Sequence, residues 1–593
     1  MKKFLALLLA LCLTMGLMAG CGDTGTSTAA SEPAASEAPA ANENEETPAV
    51  SAAPENPGSQ AEPAGSADEE VAAPGEGEAS ELANEIFGAD AAPAEVSYPI
   101  DTDESLELMA TFPDPLFASY PNGMADCQIY QEAEKATGVK MEYTPLSTSA
   151  SNEQFNIIIT SGDYPDLIGW GLNYAGGDEA AVEEEIYLDL AEYIAQYAPN
   201  YYKLLSTDDE LLKSALTDSS YITGFHALVT EDADTVAGMV IRTDLLDKLG
   251  LDKPYTIEEY ENVLAAFKEE GLKQPLVMLS TGTLQGNLLA GAFNVNAFAS
   301  NFPMVAAPTF VQDGEVKFGP LEEGFKEYIT LMHDWYEKGY MDPDFVSINA
   351  NWNSPDYSNA IVNGEAGLFF TDWGNIGGLV EASEIEGFAL EGTYDMHATA
   401  DSVNHFGQFT KKSAGNGFHI TSNCGNVELA CQWGDWWYSD EGSLLANYGV
   451  EGVSFEYENG VPKFTETVTD APEGMRDALL IYASNNTINC VIDNNALASG
   501  YSDIDKAAPA IWREGVDDEY VIPTGVSLTA DENTDANAIY SDIGTAVAES
   551  VTAFIVGDKP LDEFDAFVSQ IEDMNIDGYL EIQQAAYDRY MAK

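Results

Sequence analysis

Side chains able to do chemistry are plentiful in this 593-residue chain, but they are not arranged for catalysis. The five histidines, His226, His333, His397, His405 and His419, show no metal-ligand spacing. Asp and Glu number 101, so finding two carboxylates placed for glycoside hydrolysis would carry no signal. No G-x-S-x-G elbow, Walker loop, H-E-x-x-H pair or zinc-type cysteine pairing occurs. Asp573, Asn575, Asp577 and Gly578 match the opening of an EF-hand loop, but its twelfth position is Gln584 where a bidentate Glu is needed. No metal and no cofactor is expected, and no catalytic residue is assigned. Cys127, Cys424, Cys431 and Cys490 could pair fully in three ways or remain buried thiols. These residues spell out no catalytic constellation.

Attachment is written at the start. Lys2 and Lys3 precede an apolar run from Phe4 to Met18, and Met18-Ala19-Gly20-Cys21 closes it with small residues before a cysteine. That is a positively charged segment, an apolar segment short for a lasting span, and a cleavage site. It resembles a bacterial lipoprotein signal, in which residues 1–20 are removed and Cys21 carries lipid; Met18 stands where Leu is usual. From Gly22 to about Pro99 the chain is mostly Ala, Pro, Glu, Gly and Ser, with no Lys or Arg between Lys3 and Lys135. Such a segment cannot bury enough apolar surface to offset the entropy of ordering, so residues 21–103 are expected to form a disordered acidic stalk. About 75 flexible residues reach roughly 50 Å from a membrane.

The remaining residues suffice for two lobes with sizeable cores. The formal net charge of −78 repels nucleic acid and anionic lipid and favours solubility, without identifying a ligand.

Leu106, Leu108 and Ala110 alternate as a strand, a helix closes near Gly138, and Val139, Met141 and Tyr143 alternate again. Ser151 and Gln154 have capping-box spacing for the next helix, and Leu167–Trp170 comes after it as a third strand. This order predicts a parallel α/β sheet with ligands at the carboxyl ends of its strands. Thr256 and Glu259 open a helix that Gly271 stops, and Phe325 to Lys338 is another. Asp313-Gly314 and Asn459-Gly460 signal hairpins, and helices from about Ile543 to Tyr590 break at Gly557 to Pro560.

Ser161-Gly162-Asp163-Tyr164-Pro165-Asp166-Leu167-Ile168 resembles a signature of family 1 extracellular solute-binding proteins. So do Ile241-Arg242-Thr243-Asp244-Leu245-Leu246-Asp247-Lys248-Leu249-Gly250-Leu251, Glu337-Lys338-Gly339-Tyr340-Met341-Asp342-Pro343, Trp437-Tyr438-Ser439-Asp440-Glu441-Gly442 and Ala585-Ala586-Tyr587-Asp588-Arg589-Tyr590. These occur in the family's order across nearly the whole chain beyond residue 104. The resemblance implies a two-lobed α/β fold of the type II periplasmic-binding-protein architecture, each lobe a mixed sheet flanked by helices. The first lobe would take residues of about 104–225 and 400–490, and the second about 226–399 and 491–593. It implies a lipid-anchored monomer on the outer face of a Gram-positive membrane, delivering an oligosaccharide to an ABC permease. A peptide or polyamine ligand, or a surface glycan-binding or hydrolytic lipoprotein without a transporter, are the alternatives.

Sugars present apolar CH faces and a ring of hydroxyls, so their sites combine aromatic platforms with polar hydrogen bonders. By the resemblance, Trp170 stands where maltose-binding relatives place a stacking tryptophan, and Trp373 comes to the cleft from the second lobe with Asp372 and Asn375. Phe112 and Asp114 are rim candidates by position after the first strand, and Trp352 by its polar loop. Trp335, Trp433, Trp436, Trp437 and the Glu451-Gly452 turn are expected to be structural.

Overall fold

The computed structural model describes residues 77–593 apart from 234, 278–287, 298–299, 302–303, 306, 348–354, 408, 410, 485–488 and 593. The signal, Cys21, most of the stalk and Trp352 lie outside the described residues.

The first sheet is built on β1 (Ser105–Phe112), which pairs in parallel with β2 (Lys140–Ser147) along its whole length and with β3 (Leu167–Ile168) on its other side. A later strand, β9 (Ser413–Ile420), is antiparallel to β3 and to β4 (Phe225–Val229). The five strands thus lie in the order β2-β1-β3-β9-β4. Alternation along β1 serves two cores. Leu106, Leu108, Ala110 and Phe112 join one apolar cluster, while Met109 joins Phe155, Ile168 and Tyr187 on the opposite face. Both faces are covered, as a largely parallel sheet requires.

In the second sheet, β5 (Ala237–Arg242) runs antiparallel to β7 (Ala366–Asp372) and β8 (Leu390–Gly392), and β6 (Gln274–Leu276) is parallel to β7. Their order is β8-β5-β7-β6. Met239, Ile241, Leu368 and Phe370 face a core completed by the C-terminal helices, whereas Val240, Phe369 and Trp512 pack on the reverse side. Trp512 lies so close to β5 that a Cβ on Gly238 would sit 2.6 Å from its ring, and its Nε1 donates to the Met239 carbonyl at 2.8 Å.

Three segments join the sheets: residues 230–236, the chain between β8 and β9, and the stretch from Val491 to helix Asp503–Trp512 (α1). The first two are tied together, because Asp232 accepts from the Lys412 N–H at 2.8 Å and from Lys411 Nζ at 3.2 Å. The lobes also touch away from these crossings. Arg589, on the last helix, forms ion pairs with Asp218 of the first lobe and with Glu532, and Asn533 Nδ2 donates to the Gly176 carbonyl at 3.1 Å.

Several expectations change. The stalk ends sooner than residue 103. Ser80 caps the helix Glu81–Phe87, whose Ala83 and Phe87 are buried in the first lobe, with Phe87 edge-on to Tyr202 at 5.2 Å. The Ile100 N–H then donates to the Thr137 carbonyl at 2.7 Å, and the strap passes so close that a Cβ on Gly138 would lie 2.6 Å from the Ile100 oxygen. A composition rich in Ala and Glu hid these two anchor residues. Ser151 is not an N-cap: helix Ser151–Ser161 has Ala150 in that place, and the Ser151 hydroxyl donates to the Thr148 carbonyl.

Thr256 and Glu259 do form a capping box, and both hairpins turn through left-handed pairs, Asp313-Gly314 and Asn459-Gly460. The long C-terminal helix begins at Ala530, thirteen residues before its apolar stripe, because Thr529 and Glu532 cap it. By length and composition it could cross a membrane, yet Ile543, Val547, Val551 and Phe554 are buried in the second core. The EF-hand-like stretch is a tight helix–helix turn at Asn575, and Gln584 instead holds the first hairpin through the Gly314 carbonyl and the Val316 N–H.

Candidate ligand-binding cleft

β4 runs parallel to β1 and β3, so Val229 is at a carboxyl end; β7 ends at Asp372 and Trp373 beside the start of β5. A cavity of 1260 Å³ opens where these ends meet, bordered by residues 229–233, Thr235 and Val236. This is the position at which open α/β sheets bind ligands. The first lobe contributes Asp440, Ser443 and Asn447 from helix Asp440–Tyr448, together with Asp493 and Asn495. The second lobe contributes Trp373 and one face of α1, where Lys506 and Pro509 are followed at helical spacing by Arg513 at the C-cap.

Trp373 is held by its surroundings. Its N–H donates to the Val236 carbonyl at 2.9 Å, and its half-buried ring meets Tyr501 edge-on at 5.1 Å. Asn375 Nδ2 donates to Asp372 Oδ2 at 3.0 Å, so these two neighbours are oriented together. Burial, with Asp372 and Asp505 adding and Arg476 opposing, pushes the Tyr501 hydroxyl up to about 12, which keeps it a neutral donor. Asp232, at the crossing, loses solvation, but hydrogen bonds from the Lys412 N–H and Lys411 hold its carboxyl below the usual range.

The other proposed contacts do not reach this cavity. Phe112 is withdrawn as a rim residue: its side chain is buried in the first core and edge-on to Phe117 at 5.1 Å. Asp114 is exposed at the carboxyl end of β1, where bonds from the Ser147 hydroxyl and the Ser149 N–H hold its carboxyl below the usual range. Trp170 is half-buried against the first core and lines a separate cavity of 30 Å³ with Thr111, Trp433, Trp437 and Asn489. The two-residue strand before Trp170 ends early, and the Thr111 N–H donates to the Trp170 carbonyl at 3.0 Å, holding this residue against the first lobe. Trp335, Trp433, Trp436 and Trp437 are buried core residues.

The sequence reading missed Asn447, Asp493, Lys506 and Arg513. A signal existed for the last two, since only 23 Lys and Arg occur in the chain and these stand seven residues apart, one on a helix and the other at its C-cap. Four carboxylates and two cations line the cavity among the described residues, a far better balance than the −78 of the whole chain.

The sequence profile described as bacterial extracellular solute-binding protein matches residues 118–443, more than half of the chain. The chain belongs to this family. The fructooligosaccharide ABC transporter substrate-binding protein FusA of Streptococcus pneumoniae serotype 4 is 25% identical over 532 residues, covering 84% of this chain and 92% of that one. The polygalacturonan/rhamnogalacturonan-binding protein YtcQ of Bacillus subtilis is 24% identical over 264 residues, 44% of this chain and 48% of its own. A solute-binding protein of Bifidobacterium longum infantis, described as binding HMO, superposes with a TM-score of 0.66 at 18% identity, covering 83% of this chain and 99% of that one. The fold is therefore the two-lobed architecture of extracellular solute-binding proteins.

Proposed function

We propose that this chain captures an oligosaccharide between its two lobes and delivers it to an ABC permease, anchored to the outer face of the membrane through lipid on Cys21. The observation that carries the reading is Trp373 at the end of β7, beside a 1260 Å³ cavity lined by hydroxyl, amide and both acidic and basic groups. That volume exceeds the range of about 300–1,000 Å³ for drug-sized ligands and suits several sugar units. Trp373 supplies the stacking face, with Asp372 and Asn375 beside it, while Asn447, Asp493 and Lys506 offer hydrogen bonds. Asp114 and Trp170 remain first-lobe candidates for a ligand long enough to leave the cavity. The relatives named for fructooligosaccharide and for polygalacturonan/rhamnogalacturonan support a carbohydrate over a peptide or polyamine. Capture and release need no turnover, so no enzymatic role is assigned.

The test is a thermal-shift screen of the purified full chain against neutral oligosaccharides, uronate oligomers, peptides and polyamines, since binding raises stability by RT ln(1 + [L]/Kd). A sugar should raise Tm, and Trp373→Ala should weaken that ligand's binding about tenfold or more. A shift with polyamines or peptides alone would overturn the carbohydrate reading.

A further inference from the structure

On the second crossing segment two loops meet edge to edge. The Asn404 N–H donates to the Gly515 carbonyl at 3.0 Å, the Asp517 N–H to the Asn404 carbonyl at 2.9 Å, and the Gly407 N–H to the Asp517 carbonyl at 2.7 Å. The Tyr520 N–H donates to the His405 carbonyl at 3.1 Å. This ladder brings one imidazole and two carboxylates together. His405 Nδ1 lies 2.8 Å from Asp517 Oδ1 and 3.4 Å from Glu519 Oε2, and all three atoms fall within 4.8 Å of one another.

We propose that His405, Asp517 and Glu519 form a binding site for one divalent transition-metal ion of the zinc class. Ligand atoms each about 2.0–2.2 Å from a common ion sit about 3–3.5 Å apart; the imidazole nitrogen stands 2.8 and 3.4 Å from the two carboxylates, so a small adjustment of side chains would admit the ion. Two carboxylates converge on a single Nδ1, and a neutral imidazole can donate from that atom to only one of them. Among the described residues no lysine or arginine pairs with Asp517 or Glu519; nearby Lys411 goes to Asp518 and Asp232. A dication with neutral imidazole and two carboxylates balances the charge. An imidazole nitrogen among the ligands selects zinc-like ions over calcium and magnesium, which take oxygen.

The ligands are set before the ion arrives. The Glu519 N–H donates to Asp517 Oδ1 at 3.1 Å, fixing that carboxylate. The Tyr520 ring lies 4.5 Å from the His405 ring, and the Tyr520 hydroxyl accepts from Gln312 Nε2 at 2.9 Å. Prefixed partners of this kind tune metal affinity. The ion would fasten the crossing between β8 and β9 to the loop after α1, independently of any ligand in the cleft.

The experiment titrates ZnCl2 into the EDTA-stripped, purified full chain by calorimetry, without sugar. One equivalent should bind. His405→Ala and Glu519→Gln should each weaken binding more than about tenfold, the scale on which even supporting groups matter. Asp518→Asn, whose carboxylate serves Lys411, should leave it unchanged. Glu519 is 68% exposed in its side chain, so Glu519→Gln tests the site even if His405→Ala fails to fold. Absence of binding at millimolar zinc, unchanged affinity in Glu519→Gln, or tighter binding of CaCl2 than of ZnCl2 would overturn the assignment.

Discussion

Trp170 and Trp373 both stand just past a strand, yet they enter different surroundings. Trp373 leaves β7 beside the large cavity, its half-buried ring resting edge-on against Tyr501. If it is a ligand platform, Trp373→Ala removes a contact of about 1–3 kcal/mol from binding and little from the ligand-free protein. A loss of about 3–5 kcal/mol in ligand-free stability would mark it as core instead. Asp435 makes a second prediction at this scale. Burial pushes its carboxyl up to about 7, against the Tyr201 N–H at 2.8 Å and Asn200 Nδ2 at 2.7 Å. A carboxyl whose folded pKa lies above its unfolded value binds its proton more tightly when folded. Its contribution is therefore complete below about pH 4 and is lost as pH rises through about 7. Buried Asp395, pushed up to about 8 by burial, acts in the same direction. Tm should fall between pH 5 and pH 8, and Asp435→Asn should flatten that slope; an equal slope in the variant would refute the assignment.

Among the elements, the strap of residues 77–100 changes what the tether holds. Its Phe87 is buried against Tyr202, so Phe87→Ala should cost about 3 kcal/mol of first-lobe stability. Denaturant unfolding would measure it, and an unchanged midpoint would mean that the strap only rests on the surface. The short apolar signal in Ala83 and Phe87 was lost within an acidic, Ala-rich run, because folding there depends on a partner surface rather than on the segment itself. By contrast β1, β2, the Thr256 helix and both hairpins were legible, since alternation, capping and left-handed turn residues act over a few neighbours.

Across the whole molecule, Arg589 spans the lobes. Its guanidinium joins Glu532 to Asp218, whose side chain is only 1% exposed. Arg589→Gln should lower stability and enlarge the ligand-free radius of gyration in small-angle scattering, because an ion pair with a buried member is costly to break. Ligand should still contract that variant, since closure is driven by contacts the ligand makes to both lobes. Attachment is testable separately: Cys21→Ser should release the protein from washed membranes or leave the precursor uncleaved, and unchanged association of a mature protein would refute lipidation.

The sequence by itself determined the alternating strands, the helix caps, the hairpin turns and a family resemblance carried by five motifs, because each is encoded within a few residues. That resemblance also pointed to Trp373, which does border the cavity. Only the tertiary structure decided which side chains share that space. Trp170 and Phe112 lie at strand ends as Trp373 does, but both pack against the first core. Lys506 and Asp493, thirteen residues apart on separate elements, line one cavity because the crossing segments join the two sheets there. His405 and Asp517, 112 residues apart, face each other for the same reason. Long-range juxtaposition is set by how apolar faces pack together, and no local pattern records it.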